Sequence, residues 1–333
     1  MYTNKTGAKI VAHSKREKTG EELITYELTL PRIILAELGK YRQGSFCSSS
    51  SRAVPLNKMI DSVRETPFVP IAFQESHSGM QGTKYLKGEQ SKNAEKLWID
   101  SLNQAIGQVQ ELQKANVTKQ LCNRILEPWM YIKVLFTANR KSFEHLFEQR
   151  CPLYGGKYKS WKEYCNDTFG KYKEVSVIER LELNEGKAEI HFSDLAEKMY
   201  DALNDSTPEL LKGGEYHIPY KQYCIDLLSN EPEQTQNIQT VIKIAIAKCA
   251  NVSYTTIKGQ KERAVSDWLR IYQQLVDYDH MTPLELVCQC ATEEDYNSHL
   301  ITDGYTNNIV KGAFGPYRGF KSHRFNLEYK KLV

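Results

Sequence analysis

The sequence has no long hydrophobic run, no marked excess of one charge and no cluster of cysteines. No segment approaches the roughly 18 consecutive apolar residues of a membrane-spanning helix, and the N-terminus lacks the apolar stretch of a signal peptide. The 44 Lys and Arg residues exceed the 41 Asp and Glu residues by only three, so no strong field points to nucleic acid or a membrane as partner. We therefore expect a reduced, cytoplasmic protein.

The cysteines are dispersed along the chain. Eight are present, at positions 47, 122, 151, 165, 224, 249, 288 and 290, and this spacing is unlike that of a small disulfide-rich domain. Only Cys288 and Cys290 lie close together, and one C-x-C pair is a poor metal signal without a second pair. We predict that the thiols are mostly core residues and that the chain has no metal site.

The composition is that of an ordinary globular protein. Apolar residues make up 41% and charged residues 26%, which excludes a disordered chain. A length of 333 residues allows one large domain or two smaller ones. Because we find no internal repeat and no long linker, we predict one domain over 1–333, with an insertion at 151–186 and a basic, aromatic tail at 311–333.

Hydrophobic periodicity predicts a mixture of strands and helices. Alternating apolar residues predict a hairpin over 9–13 and 23–30, and the apolar run at 129–138 predicts a buried strand. Helices are predicted from Pro31 to near Gly39 and over 55–65, 91–115, 119–127, 142–150, 193–203, 238–250 and 264–278. The serine-rich segment 40–55 is predicted to be a loop, 204–235 to be rich in turns, and 174–183 to form a strand pair.

One candidate site lies in segment 40–52. Arg42 and Arg52 bracket a run of serines. Guanidinium forks match phosphate oxygens and hydroxyls supply short donors, so the segment is a plausible phosphate cradle. The alternative is a solvated serine-rich loop.

A second candidate begins at Arg124 and continues in Asn139 and the helix over 142–150. Lys141 and His145 lie four residues apart and share a helix face, while Arg150 is favoured at the helix C-terminus by the dipole. The alternative is a basic face in contact with solvent.

A third candidate combines Ser253 with the segment that starts at His280. Thr282 and Glu285 have the spacing of a capping box, with Pro283 at the first helical position. His280 has no such structural explanation, and its alternative is a satisfied surface histidine.

Together these segments resemble the flavin-dependent thymidylate synthase family. Its signature R-H-R-x-x-S-x-N-E-x-S-x-R-Y is similar to residues 40–53, its second region has an N-x-R-S-L-x-N-F-x-x-L-R helix, and its third reads A-R-V-S-[YF] followed by H-x-T-P-F-E-H. The matching residues are Arg42, Ser45, Ser50, Arg52, Arg124, Asn139, Arg150, Ser253, His280, Thr282 and Glu285. The third region follows the signature here and precedes it in most members, which suggests a circular permutation similar to a longer virus-encoded branch.

The resemblance implies an α/β (α+β) fold with a central sheet and flanking helices. It implies a homotetramer that places the flavin and deoxyuridylate (dUMP) at subunit interfaces, in the host cytoplasm if the gene is viral. The implied reaction is methylation of dUMP at C5, with methylenetetrahydrofolate as the one-carbon donor and FAD reduced by NADPH.

The resemblance also implies residue roles. Nucleotide-binding residues would be Glu37, Ser48, Ser50, Arg52, Arg124 and Arg150, among which Ser50, Arg52 and Arg150 are the candidate catalytic residues. Flavin-binding residues would be Lys40, Tyr41, Arg42, Asn139, Lys141, His145, Ser253, His280, Thr282 and Glu285. Arg150 would hold the deprotonated base, because a fixed guanidinium stabilises the pyrimidine anion that makes C5 nucleophilic.

Three alternatives stay open at this point. Ser48 stands where the family has Glu, which allows another pyrimidine nucleotide or a C5-hydroxymethyl product. Cys47 is a candidate covalent nucleophile, with a thiol pKa that Arg42 and Arg52 would lower. A non-catalytic protein would use its tail to bind single-stranded nucleic acid, unless that tail simply packs on the domain; the tail residues concerned are Tyr317, Arg318, Phe320, Lys321, His323 and Arg324.

Overall fold

The computed structural model describes residues 2–79, 82–254, 262–302 and 309–332, and it shows a mixed α/β protein with a central sheet and many helices. The strands are β1 Gly7–Arg16, β2 Glu22–Pro31, β3 Gly44–Ser48, β4 Tyr131–Asn139, β5 Glu209–Leu211, β6 Tyr216–His217, β7 Cys288–Cys290, β8 Leu300–Thr302, β9 Ile309–Lys311, β10 Ala313–Phe314, β11 Tyr317–Arg318 and β12 Phe320–Ser322. The helices are α1 Leu35–Leu38, α2 Leu56–Glu65, α3 Gly88–Lys114, α4 Lys119–Ile125, α5 Arg140–Arg150, α6 Trp161–Phe169, α7 Val177–Leu183, α8 Ile190–Asn204, α9 Lys221–Leu228, α10 Ile238–Asn251, α11 Val265–Asp277, α12 Glu293–Ser298 and α13 His323–Leu332.

Five strands form the central sheet in the order β3-β4-β2-β1-β5. Neighbouring strands are antiparallel except β1 and β5, which are parallel. β4 pairs with β2 along its whole length and with the edge strand β3 on its other side, where Phe46 lies opposite Phe136. The predicted hairpin and the predicted buried strand at 129–138 are confirmed.

One face of the sheet carries the main core. Side chains of a strand alternate between its faces, and Ile24, Tyr26, Leu28 and Leu30 of β2 are all fully buried on this side. They pack with residues of α2, α3, α5 and α8, and the rings of Tyr26 and Phe143 meet edge to face with centroids 4.9 Å apart. The helices predicted over 55–65, 91–115, 142–150 and 193–203 are confirmed and supply this layer.

The opposite face of the sheet is also covered. Thr25 of β2 is completely buried, and its hydroxyl lies 2.8 Å from Nε2 of His217 and 2.7 Å from the hydroxyl of Thr137. Glu27 accepts a hydrogen bond from Nζ of Lys133 at 2.7 Å and another from the hydroxyl of Tyr220 at 2.5 Å. The alternation predicted a half-buried strand, but both faces are covered, and these polar groups are tolerated there because they are hydrogen-bonded.

Two predicted segments have a different structure. Segment 40–55 was predicted to be a loop but contains β3, because the free edge of β4 offers backbone partners and Phe46 stacks on Phe136 with centroids 4.0 Å apart. Residues 174–183 were predicted to be a strand pair but contain α7. Ser176 and Glu179 form a capping box at its start, which favours a helix over a strand.

Smaller corrections concern the ends of elements. Thr282–Glu285 is a 3-10 helix without a side-chain cap, so the predicted capping box is absent. The helix predicted from Pro31 to near Gly39 is present as a 3-10 helix over Arg32–Ile34 followed by α1, and Pro31 is its N-cap and the last residue of β2. The turn-rich stretch 204–235 also contains β5, β6 and α9. The helices predicted over 238–250 and 264–278 are confirmed as α10 and α11, and the one predicted over 119–127 as α4, which ends two residues earlier.

The aromatic tail packs on the rest of the chain as short strands and α13. Tyr317 and Phe320 are almost completely buried, Nζ of Lys321 lies 2.6 Å from Asp295, and Arg324 pairs with Glu285. The two rings are buried and the two basic groups are paired, which argues against a tail that binds nucleic acid. Val333, the last residue of the predicted tail, lies outside the described residues.

Within the described ranges, no helix combines the length and apolarity that crossing a bilayer requires.

Candidate functional site

The three stretches that carry the candidate residues meet at β3. The strand pairs with β4, which leads into α5. On the other side, Oγ of Ser253 donates to the carbonyl oxygen of Ser48 at 3.3 Å, and the backbone N–H of Ser50 donates to the carbonyl oxygen of Ser253 at 3.1 Å. The segment after α11 is joined by the hydrogen bond from Ser45 to Glu285, at 2.5 Å. Segments distant in sequence are therefore neighbours in the fold.

Cleft A lies between the end of β3 and α11 and has a volume of about 720 Å³. It is lined by Phe46, Cys47, Ser48, Ala250, Asn251, Ser253, Tyr254, Arg263, Arg270, Ile271, Gln274, Leu275, Tyr278, His280, Thr282 and Pro283. None of the described residues in its walls is acidic, and the lining residues carry five hydroxyl groups, two of them phenolic, and two guanidinium groups. This composition suits an anionic ligand with a flat apolar part.

Cleft B lies at the other end of β3 and has a volume of about 320 Å³. Its walls are Lys40, Tyr41, Arg42, Gln43, His145, Gln149 and Arg150, again without a carboxylate among the described residues. The Nε atom of Arg150 is buried and has no hydrogen-bond partner there, while its guanidinium carbon lies 5.4 Å from the ring centre of Phe192 and 5.9 Å from that of Tyr41. A positioned guanidinium whose Nε donor is unused is suited to an anion or a polarised base.

The phenol of Tyr41 completes this arrangement. Burial raises its pKa, and the positive charge of Arg150 opposes that rise. Its hydroxyl donates to Oε1 of Gln149 at 3.1 Å, and the Gln149 amide nitrogen lies 2.9 Å from Nε2 of His145. The three side chains hold each other in place beside Arg150.

Cleft C, about 510 Å³ in volume, contains two further predicted flavin residues, Asn139 and Lys141. The carboxamide of Asn139 is already used. Its nitrogen donates to the carbonyl oxygens of Glu22 and Arg318 at 3.0 and 3.1 Å, and its oxygen accepts from the N–H of Arg318 at 2.8 Å. Asn139 therefore fastens β11 to the central sheet.

Four predicted nucleotide residues line none of these three clefts. Arg52 and Arg124 are exposed on one side of α4, where Nε of Arg52 donates to Gln120 at 3.3 Å. Ser50 lines only a narrow cavity of about 10 Å³, and Glu37 lies near Tyr41. Arg42 and Arg52 lie beyond opposite ends of β3. Arg42 lines cleft B and Arg52 hydrogen-bonds to Gln120 outside it, so the two arginines do not form the predicted phosphate cradle within one chain.

Glu285 and Cys47 have surroundings that differ from those their predicted roles require. Glu285 does not line cleft A, because its carboxylate accepts from Ser45 and from Nη1 of Arg324, the latter at 2.7 Å. Cys47 was predicted to have a lowered thiol pKa, but burial, together with the charge of Glu285, raises that pKa to about 12. The thiol is therefore protonated near neutral pH and unsuited to nucleophilic attack.

Two residues of cleft A, Arg263 and Arg270, were not predicted from the sequence. Arg270 is exposed and pairs with Asp267 at 2.8 Å, whereas Nε of Arg263 is buried without a hydrogen-bond partner. Neither residue belongs to a recognised motif. The helical pattern of 264–278 identified only the apolar face of α11, so no sequence signal placed either arginine in a site.

No protein-family model and no curated protein sequence matches this chain. Similar solved structures include the UMP/dUMP methylase PolB from Streptomyces cacaoi bound with 5-Br UMP, at 13% identity and a TM-score of 0.43 over 61% of this chain and 90% of that one. The same methylase bound with 5-Br dUMP is 15% identical, with a TM-score of 0.38 over 55% of this chain and 66% of that one. Thymidylate Synthase X from Helicobacter pylori with FAD and dUMP is 16% identical, with a TM-score of 0.32 over 54% and 67%. Similarity at this level assigns neither a family nor an activity.

Proposed function

We propose that the chain is a flavin-dependent enzyme that methylates dUMP at C5, with methylenetetrahydrofolate as the one-carbon donor and NADPH as the reductant. The observation that carries the proposal is the meeting of the three motif-bearing segments at β3. Ser48 is hydrogen-bonded to Ser253, Ser45 to Glu285, and β3 pairs with the strand that leads to Arg150. The three segments, which sequence alone linked only by their resemblance to one family, thus meet at one strand.

Cleft A is where we propose that FAD binds. Ser253, His280 and Thr282 line it, its volume is about 720 Å³ and its described walls lack carboxylates. These features fit a large, flat ligand that carries phosphate groups. When bound and reduced by NADPH, FAD supplies the hydride that converts a transferred methylene group into a methyl group.

Cleft B is where we propose that the nucleotide binds. The Nε atom of Arg150 is buried without a hydrogen-bond partner among the described residues. Lys40, Arg42 and His145, for which the resemblance implied flavin contacts, line the same cleft, and here we assign them to the nucleotide as further donors. Arg150 stabilises the negative charge that develops on the pyrimidine ring as C5 becomes nucleophilic. No enzyme thiolate is required, in agreement with the raised pKa of Cys47.

Clefts A and B share no lining residue, so the proposal includes a second copy of the chain. A homo-oligomer, a tetramer by resemblance, would bring cleft A of one subunit to cleft B of another. The motif order is part of the same proposal, in which the third region follows the first by circular permutation.

The test is to purify the protein, measure its flavin absorbance with and without added FAD, and analyse the product from dUMP by mass spectrometry. We expect a yellow protein and a mass increase of one methyl group. A colourless protein that does not take up FAD contradicts the proposal. Ser48 stands where the family has Glu and lines cleft A, which the proposed oligomer brings against cleft B of another subunit, so deoxycytidylate is included as a competitor. Its modification, or a hydroxymethyl product, would establish the related flavoenzyme instead.

A further inference from the structure

Arg263 holds a guanidinium group in cleft A that the rest of the described chain leaves mostly unused. One terminal nitrogen, Nη2, donates to Oδ1 of Asn251 at 3.3 Å. The Nε atom is buried and has no hydrogen-bond partner among the described residues, and the guanidinium carbon lies 5.7 Å from the ring centre of Trp268. The group is therefore positioned by its neighbours but not neutralised by them.

A buried donor without a partner destabilises the protein unless a ligand satisfies it. No described residue in the walls of cleft A is acidic, so the charge of Arg263 has no counterpart within the cleft. Arg270, on the next helix, differs because its guanidinium already pairs with Asp267 at 2.8 Å. Arg263 is the arginine of this cleft with donors to spare.

The rest of cleft A indicates the kind of ligand. Hydroxyls of Ser48, Ser253 and Thr282 line it. Those of Ser48 and Thr282 can donate to an oxyanion, whereas that of Ser253 donates to the carbonyl oxygen of Ser48. Tyr254 and Tyr278 are 69% and 72% exposed and offer flat rings on which a base can stack. Guanidinium groups match phosphate oxygens with two parallel hydrogen bonds.

We propose that Arg263 binds the diphosphate of a dinucleotide in cleft A, which is the diphosphate of FAD if the proposed function holds. The inference rests on that function for the identity of the ligand only. Because of Arg263, cleft A binds a flavin that carries a diphosphate more tightly than riboflavin, which carries no phosphate.

The experiment measures equilibrium binding of ADP, FAD and riboflavin by calorimetry to the full-length protein. The variants are Arg263→Gln, which removes the charge, and Arg263→Lys, which keeps the charge but loses the fork. The control is Arg64→Gln, an exposed arginine in the last turn of α2 that does not line cleft A. Circular dichroism melting checks that each variant is folded.

We expect Arg263→Gln to weaken ADP and FAD at least tenfold and to leave riboflavin, which has no phosphate, unchanged. Arg263→Lys should give an intermediate loss, and Arg64→Gln should bind like the unaltered protein. The inference is overturned if folded Arg263→Gln or folded Arg263→Lys binds ADP and FAD as tightly as the unaltered protein binds each of them. ADP binding that depends on Arg263 without any binding of FAD or riboflavin keeps the diphosphate assignment and overturns the flavin assignment.

Discussion

The hydroxyl of Ser45 donates a hydrogen bond to Oε2 of Glu285 at 2.5 Å, across a sequence separation of 240 residues. The other carboxylate oxygen accepts from Arg324 in α13 at 2.7 Å. One carboxylate thus joins the edge strand of the central sheet, the segment after α11 and the C-terminal helix. It connects the parts of the chain on which the candidate site depends.

Replacement of this carboxylate should destabilise the fold. Glu285→Gln removes the charge that two donors share, and we expect the free energy of unfolding to fall by about 1–2 kcal/mol, measured by chemical denaturation. Glu328→Gln is the matched control, because Glu328 pairs with the same arginine at 2.8 Å but its side chain is 45% exposed, against 22% for Glu285. Its loss should stay below about 0.5 kcal/mol. Equal losses in the two variants would show that Glu285 has no special structural role.

Arg150→Ala should abolish product formation and leave the fold intact. Loss of a donor aimed at developing charge typically lowers the rate by about 100-fold or more, and the Nε atom that is removed has no partner in the described structure. Initial rates and thermal unfolding are the two measurements. Arg64→Ala also removes an arginine from the last turn of a helix and should retain its rate. Near-normal turnover of Arg150→Ala is the result that contradicts this role.

The cysteines should be unreactive in the native protein. All eight are buried and unpaired, and burial raises the pKa of Cys47 to about 12. We expect almost no reaction with a thiol reagent such as DTNB at pH 8, and eight thiols after denaturation in guanidinium chloride. Cys47→Ala should still form product. A rapid reaction lost in that variant, together with its activity, would restore Cys47 as a nucleophile.

Glu197 should make stability depend on pH. Burial raises its pKa to about 7 from 4.5, with Asp194 and Asp201 adding to the rise and Arg180 and the Trp161 N–H opposing it. The folded state therefore binds a proton more tightly than the unfolded state, and stability is lost as pH rises from 4.5 to 7.

Glu197→Gln keeps an acceptor for the N–H of Trp161, which lies 2.6 Å from the carboxylate, and cannot ionise. We expect it to match the unaltered protein at pH 5 and to exceed its stability at pH 8 by up to about 3 kcal/mol. Urea denaturation at the two pH values measures this, with the exposed Glu148→Gln as control. A constant difference between pH 5 and pH 8 would mean that Glu197 does not titrate in this range.

The sequence alone determined the periodic elements. The alternation of Ile24, Tyr26, Leu28 and Leu30 gave the strand and its core face, and the helical spacings of α3, α10 and α11 gave their positions to within a few residues. These predictions succeed because burial of one face imposes a period on the residues of the element itself.

Tertiary structure decided what depends on a partner distant in the chain. The serine-rich segment forms β3 because the edge of β4 offers backbone hydrogen-bond partners and the ring of Phe136 offers a face on which Phe46 stacks. Glu285 became a link and not a wall of cleft A because Ser45 and Arg324 reach it. Arg263 has a role only because α10, α11 and β3 enclose a cleft without carboxylates among its described residues. A hydrogen bond or a buried charge is a property of two positions, and the local sequence of either one does not specify the other.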